Sequence, residues 1–140
     1  MMNLWLCIVL LQYSRYLHPI YSMKDNVMSD SDIFNRHCVP CEGGVPPLGA
    51  ERVASLLTHL SDWHVNDTHT AISRAVSCKD FHETMALVNA IADIAHQQNH
   101  HPNLVVGYDH CHITFSTHAI GGLSENDFIC ARLVDGLLSC

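Results

Sequence analysis

A chain of 140 residues, 48% of them apolar, has the length and composition of one ordinary domain around a single core. Seven Lys or Arg stand against fourteen Asp or Glu, for a formal net charge of −7, and the basic residues form no run. That argues against nucleic acid as the main ligand, because phosphate neutralisation needs a basic face, and leaves a protein partner open.

The first feature along the chain is the apolar run from Leu4 to Leu11. It is too short to span a bilayer as a helix, which takes about 20 residues. No basic residue precedes it and no small-x-small cleavage site follows it, so it makes a poor signal peptide. Met23 and Met28 offer later starts. Residues 1–27 are expected to be an upstream extension or a disordered tail, with a targeting segment as the alternative. Residues 28–48 are polar and then rich in Gly and Pro, and Cys38-Val39-Pro40-Cys41-Glu42-Gly43-Gly44-Val45-Pro46-Pro47 predicts an extended arm.

From residue 49 to residue 140 the pattern is that of a folded domain. Val53, Leu56, Leu57 and Leu60 recur at helical spacing and predict a helix over 49–60. Two short segments, 63–67 and 71–76, flank a polar turn and read as a hairpin. A long helix is expected over 80–98, with Phe81, Met85, Val88, Ala92 and Ala95 in one stripe and Leu87, Ile91 and Ile94 beside it. Pro102 stops it and pushes His101 out of helical geometry. A third strand is expected over 103–108 and a fourth over 111–117. In the fourth, Cys111, Ile113 and Phe115 face one side, and His112, Thr114, Ser116 and His118 the other. Gly121-Gly122 breaks the chain, and Ser124 caps a last helix with Asp127 at its third position, as in a capping box. Phe128, Ala131, Val134 and Leu138 line that helix. The order α-β-β-α-β-β-α predicts a single α+β domain, a four-stranded antiparallel sheet with three helices on one face.

Twelve histidines are the compositional anomaly. Histidine has an ordinary pKa near neutrality, so a cluster of them invites proton-transfer chemistry. His96, His100 and His101 gather at the end of the long helix, His118 follows the fourth strand, and Asp127 opens the last helix. Spacing alone admits three readings of the imidazoles. They are an acid/base pocket, a zinc site built from His96, His100 and His118, or a solvated helix end favoured by the helix dipole. His118 by itself reads as a surface residue of the open sheet face, and Asp127 by itself as a cap.

The seven cysteines, Cys7, Cys38, Cys41, Cys78, Cys111, Cys130 and Cys140, are odd in number and scattered, unlike a secreted disulfide framework. Cys111 and Cys130 sit in apolar patterns and read as buried thiols, and the compartment reads as reducing, most simply the cytoplasm. Cys38-x-x-Cys41 has the spacing of half a zinc site or of a redox motif, but no second pair matches it and it opens no helix after a strand. No Gly-rich phosphate loop joins a strand to a helix, and no Gly-x-Ser-x-Gly motif occurs.

The residues His96, His100-His101-Pro102, Tyr108, His118 and Asp127, with their spacing, resemble the motif of the pterin-4a-carbinolamine dehydratases. His112-Ile113-Thr114-Phe115-Ser116-Thr117-His118 looks like that family's fourth strand, and Gly122-Leu123-Ser124-Glu125-Asn126-Asp127 like its last helix start. Arg74 and Phe81 fall where the family usually has Arg and Phe, and Cys41-Glu42-Gly43-Gly44 resembles the arm of many microbial members. The resemblance covers about residues 36–138.

It implies dehydration of a 4a-hydroxytetrahydropterin to the quinonoid dihydropterin, the recycling step after an aromatic amino-acid hydroxylase, with no metal and no cofactor beyond the pterin substrate. It implies that His101 and His118 flank the pterin as acid and base, in an order the sequence leaves open. His100 would hold the 4a-hydroxyl, Asp127 would orient a histidine, and His96 and Pro102 would support the site. His96 stands where other members have a carboxylate. The resemblance further implies a homotetramer, a dimer of dimers, without membrane or direct nucleic-acid contact. Some members also serve as dimerisation cofactors for a homeodomain transcription factor, which keeps a protein partner as the alternative.

Overall fold

The computed structural model describes residues 30–40 and 45–139. Residues 1–27, Cys7, Cys41, Glu42-Gly43-Gly44 and Cys140, on which several of the expectations above fall, lie outside the described residues.

The helices are α1 (Asp30–Ile33), α2 (Ala50–Leu57), α3 (Phe81–Gln98) and α4 (Glu125–Leu138). The strands are β1 (His64–Val65), β2 (Ile72–Ser77), β3 (Asn103–Val106) and β4 (His110–Phe115), with a 3₁₀ turn over His118–Ile120. The four strands form one antiparallel sheet in the order β1-β2-β4-β3. This is the predicted α+β domain, with three long helices on one face of a four-stranded sheet and α1 as an added turn in the arm.

The alternation in β4 decides which face is covered. Cys111, Ile113 and Phe115 are buried, and their partners Val76, Arg74 and Ile72 on β2 lie on the same side. Against them pack Val53 and Leu56 of α2, Ile91 of α3 and Phe128, Ala131 and Val134 of α4. His112 stands on the opposite, open face with Ala75 and Val105 as cross-strand neighbours.

Several bounds differ from the sequence expectation. Helix α2 closes at Leu57, and the next three residues continue only as turns whose N–H groups reach back three positions. Strand β3 stops at Val106 and β4 at Phe115, so Tyr108 and His118 belong to connections rather than strands. The buried side of α3 is rotated from the predicted stripe. Thr84, Ile91, Ala95 and Gln98 are its buried residues, whereas Phe81 is 52% exposed. Thr84 turns inward because its hydroxyl bridges the carbonyls of Asp80 and Tyr108, a polar anchor that hydrophobic periodicity does not register.

Candidate functional site: a histidine-lined cavity

The long helix ends in a way that separates its histidines. Asn99 adopts the left-handed conformation (φ 50, ψ 38), and the N–H of His100 reaches back to the Ala95 carbonyl at 3.2 Å. This is the usual left-handed stop at a helix C-terminus, for which Asn is a tolerated residue. His96 therefore stays on the exposed helix surface, and His100 lies beyond the stop. The two do not share a helix face as their four-residue spacing predicts.

His100 is turned inward. Its ring lies nearly parallel to Phe115, at 5.9 Å between centroids and 11° between planes. Its Nε2 donates to Asp127 Oδ1 at 2.7 Å, and the two side chains are 11% and 0% exposed. Asp127 is the third residue of α4 and completes the capping box with Ser124. Its Oδ2 accepts from the Ser124 N–H and from the Thr117 hydroxyl, both at 2.8 Å. The one carboxylate thus caps a helix, ties down the end of β4 and fixes an imidazole. Burial by itself pulls the His100 pKa down. The hydrogen bond and charge of Asp127, with a smaller contribution from Cys38, outweigh it and hold the group above its ordinary value.

His100, His101 and His118 all line one open cavity of about 560 Å³. The exposed His118 enters it because the chain turns after β4 into the 3₁₀ segment, which ends at Gly121 with φ 64, a conformation that favours glycine. Asp127 stands behind His100, outside the lining. His96 touches the site only through His101, ring edge to ring face at 6.3 Å between centroids. Neither Pro102 nor Tyr108 lines the cavity, and Tyr108 instead stacks on Phe81 at 6.3 Å. Arg74 pairs with the buried Asp135 at 2.6 Å and is a structural residue.

Three contributors to the site escaped the sequence reading. Gln98 accepts the Cys38 N–H at 2.9 Å through Oε1 and donates to His37 Nδ1 at 3.2 Å. Asn126 accepts the Val39 N–H at 3.1 Å and donates to the Val39 carbonyl at 2.7 Å. These bonds lay residues 37–39 across the ends of α3 and α4, so the arm becomes a wall of the cavity with the Cys38 side chain in its lining. Short polar motifs carry no hint of contacts 60 and 87 positions apart.

Among the described residues, no three His, Cys, Asp or Glu side chains gather closely enough to hold a metal ion. The zinc triad that spacing admits is not assembled, because His96 lies outside the cavity and His100 is committed to Asp127. The arrangement does place three imidazoles around a space of small-molecule size.

Comparison with known proteins identifies the family. A family profile described as "Pterin 4 alpha carbinolamine dehydratase" matches residues 46–137. A protein of Nitrosomonas eutropha is 54% identical over 76% of this chain and 94% of its own, and one of Legionella pneumophila (strain Lens) is 51% identical over 77% and 96%. Both carry the name "Putative pterin-4-alpha-carbinolamine dehydratase". The crystal structure of a transcriptional coactivator/pterin dehydratase from Brucella melitensis superposes with a TM-score of 0.63 at 27% identity, over 65% of this chain and 97% of its own. The histidine motif, the fold and these matches together show that the chain belongs to the pterin-4a-carbinolamine dehydratase family.

Proposed function

We propose that the protein is a hydro-lyase that dehydrates 4a-hydroxytetrahydropterin to the quinonoid dihydropterin, recycling the pterin after an aromatic amino-acid hydroxylase. The observation that carries the reading is the convergence of His100, His101 and His118 on one cavity, with His100 held by a buried carboxylate. The reaction delivers a proton to the departing 4a-hydroxyl and removes one from the adjacent ring nitrogen as the C–O bond breaks. Among the described residues, no hydrogen bond commits the His101 or His118 ring elsewhere, and the two serve as acid and base. His100, oriented by its bond to Asp127, holds the leaving oxygen. Asp127 is a positioning residue, and His96 supports the site through its edge-on ring contact with His101. Each positioned acid or base is worth roughly 10²–10⁴-fold.

The reading includes turnover without metal or redox cofactor, in the cytoplasm. The test is the dehydration rate of freshly generated 4a-hydroxytetrahydropterin, followed by absorbance with and without chelator. We expect fast, chelator-insensitive turnover that falls by about 10²-fold or more in His101→Ala and in His118→Ala. A folded protein that does not outpace the spontaneous reaction would overturn it.

The Brucella melitensis relative, named a transcriptional coactivator as well as a pterin dehydratase, favours a second reading, a protein that acts by binding a transcription factor. That role predicts partner association unchanged in His101→Ala, measured beside the rate.

A further inference from the structure

Four cysteines lie among the described residues, all as free thiols. Two of them, Cys38 and Cys130, come together across 92 positions with their sulfurs 3.6 Å apart. Cys130 sits on α4 with no exposed surface, inside the hydrophobic core. Cys38 is half-buried on the arm and reaches the cavity. Its backbone is held on both sides, by Gln98 at its own N–H and by Asn126 at Val39, so the sulfurs meet in a fixed frame. A disulfide needs the sulfurs at about 2.0 Å, so the pair stands about 1.6 Å from bonding distance.

The two thiols differ in character. The hydrogen bond from Cys130 lowers the Cys38 pKa, against the opposing effect of burial, and the neighbouring His100 lowers it further. The same contact and burial push Cys130 up, so it stays protonated. Nucleophilic attack thus falls to the sulfur that solvent can reach through the cavity.

We propose that Cys38 is a peroxide-reactive site on the cavity wall and that Cys130 resolves it, closing a reversible disulfide that tethers the arm to α4. In the first step the Cys38 thiolate attacks one oxygen of hydrogen peroxide. The S–O bond forms, the O–O bond breaks, hydroxide leaves and is protonated to water, and the sulfur is oxidised by two electrons to the sulfenic acid. In the second step the Cys130 sulfur attacks the Cys38 sulfur. The S–S bond forms, the S–O bond breaks, and the departing hydroxide takes the Cys130 proton as a second water. A dithiol reductant reverses the change by exchange. The product draws the Cys38 sulfur from the cavity toward α4 and anchors residues 37–39 covalently where only hydrogen bonds held them.

The test is to expose the full chain to hydrogen peroxide, block remaining thiols by alkylation and map the peptides by mass spectrometry. The expected result is a loss of two hydrogens, a Cys38–Cys130 cross-linked peptide, and full reversal by dithiothreitol. The melting temperature of the oxidised chain should rise by several degrees, since the link closes a long loop. In Cys130→Ala the sulfenic acid should persist on Cys38 and be trapped by dimedone, while in Cys38→Ser Cys130 should remain reduced. A cross-link from Cys38 to Cys41, a cross-link between two chains, or an unmodified Cys38 after methionines have oxidised would overturn the proposal. These readouts are independent of whether the protein dehydrates pterins.

Discussion

At the scale of single residues, the pair of His100 and Asp127 sets a pH dependence with a definite sign. The folded-state pKa of His100 lies above its ordinary 6.5, so the folded protein holds that proton more tightly than the unfolded chain does. The stabilisation is complete below the unfolded value and is lost as pH rises through the folded value. A histidine NMR titration should place the His100 midpoint above 6.5, and Asp127→Asn should lower it. Urea unfolding at about pH 6 and about pH 9 should show the wild type losing more stability than Asp127→Asn does. A His100 midpoint unchanged in Asp127→Asn would mean that the carboxylate does not hold the proton. Asp127→Ala removes more, since the same side chain caps α4 and receives the Thr117 hydroxyl. It should cost about 3 kcal/mol in the same measurement.

At the scale of elements, the site depends on how α3 stops and how α4 is clamped. Asn99 stands at φ 50, where a β-carbon costs energy that Asn partly offsets and Gly does not incur. Asn99→Gly should leave stability nearly unchanged. Asn99→Val should lose about 1–2 kcal/mol and, by loosening the turn that aims His100, lower turnover as well. Proper folding and wild-type turnover in Asn99→Val would show that the stop does not aim the histidine. At the other end of α4, the buried Asp135 accepts from the Ser61 N–H, the Trp63 indole and the Arg74 guanidinium. Asp135→Ala removes the buried partner of Arg74, whose side chain is 14% exposed, and leaves it the solvent-exposed Asp62 at 3.5 Å, so the change should cost about 3 kcal/mol in denaturant titration. Turnover per folded molecule should change little, because none of these groups lines the cavity.

The same elements show where the sequence was legible. The alternation of β4 and the capping box of α4 are local signals, and both appear in the structure as the sequence predicts. The helical turn of α1 is a single turn of a polar segment, too short for periodicity to mark. The buried stripe of α3 was misplaced because Thr84 and Gln98 are anchored by polar bonds to distant chain. The histidines of the site were legible through the spacing of a known motif, but their division of labour was not. Which imidazole turns inward depends on the left-handed Asn99 and on the position of α4, neither of which spacing encodes. The Asp135 clamp and the arm wall were invisible for the same reason, since they join residues 60 or more positions apart.

At the scale of the whole molecule, the sheet leaves apolar surface without cover. Strand β3 is an edge, and Val105 and Val106 on it are 58% and 41% exposed. Phe81 and Tyr108, at 52% and 69%, stack on each other beside it. An apolar edge strand without charges or proline templates pairing with another chain, and soluble monomers seldom tolerate one. The other edge, β1, is two residues long and offers little to pair with. Self-association is therefore expected to use β3, which fits the tetramer that the family resemblance implies. Light scattering after size exclusion should give the mass of four chains. Val105→Lys should reduce that mass, because it puts a charge on the open face of the edge strand, away from the core residues of β4. Far-UV circular dichroism should stay unchanged, which separates lost assembly from lost folding. A wild-type monomer at every concentration, or a tetramer indifferent to lysine at residue 105, would show that the exposed edge serves some other contact. If turnover falls together with the mass, assembly also supports the site. His100, His101 and His118 all come from one chain, so the dissociated variant should retain turnover unless the arm wall relaxes.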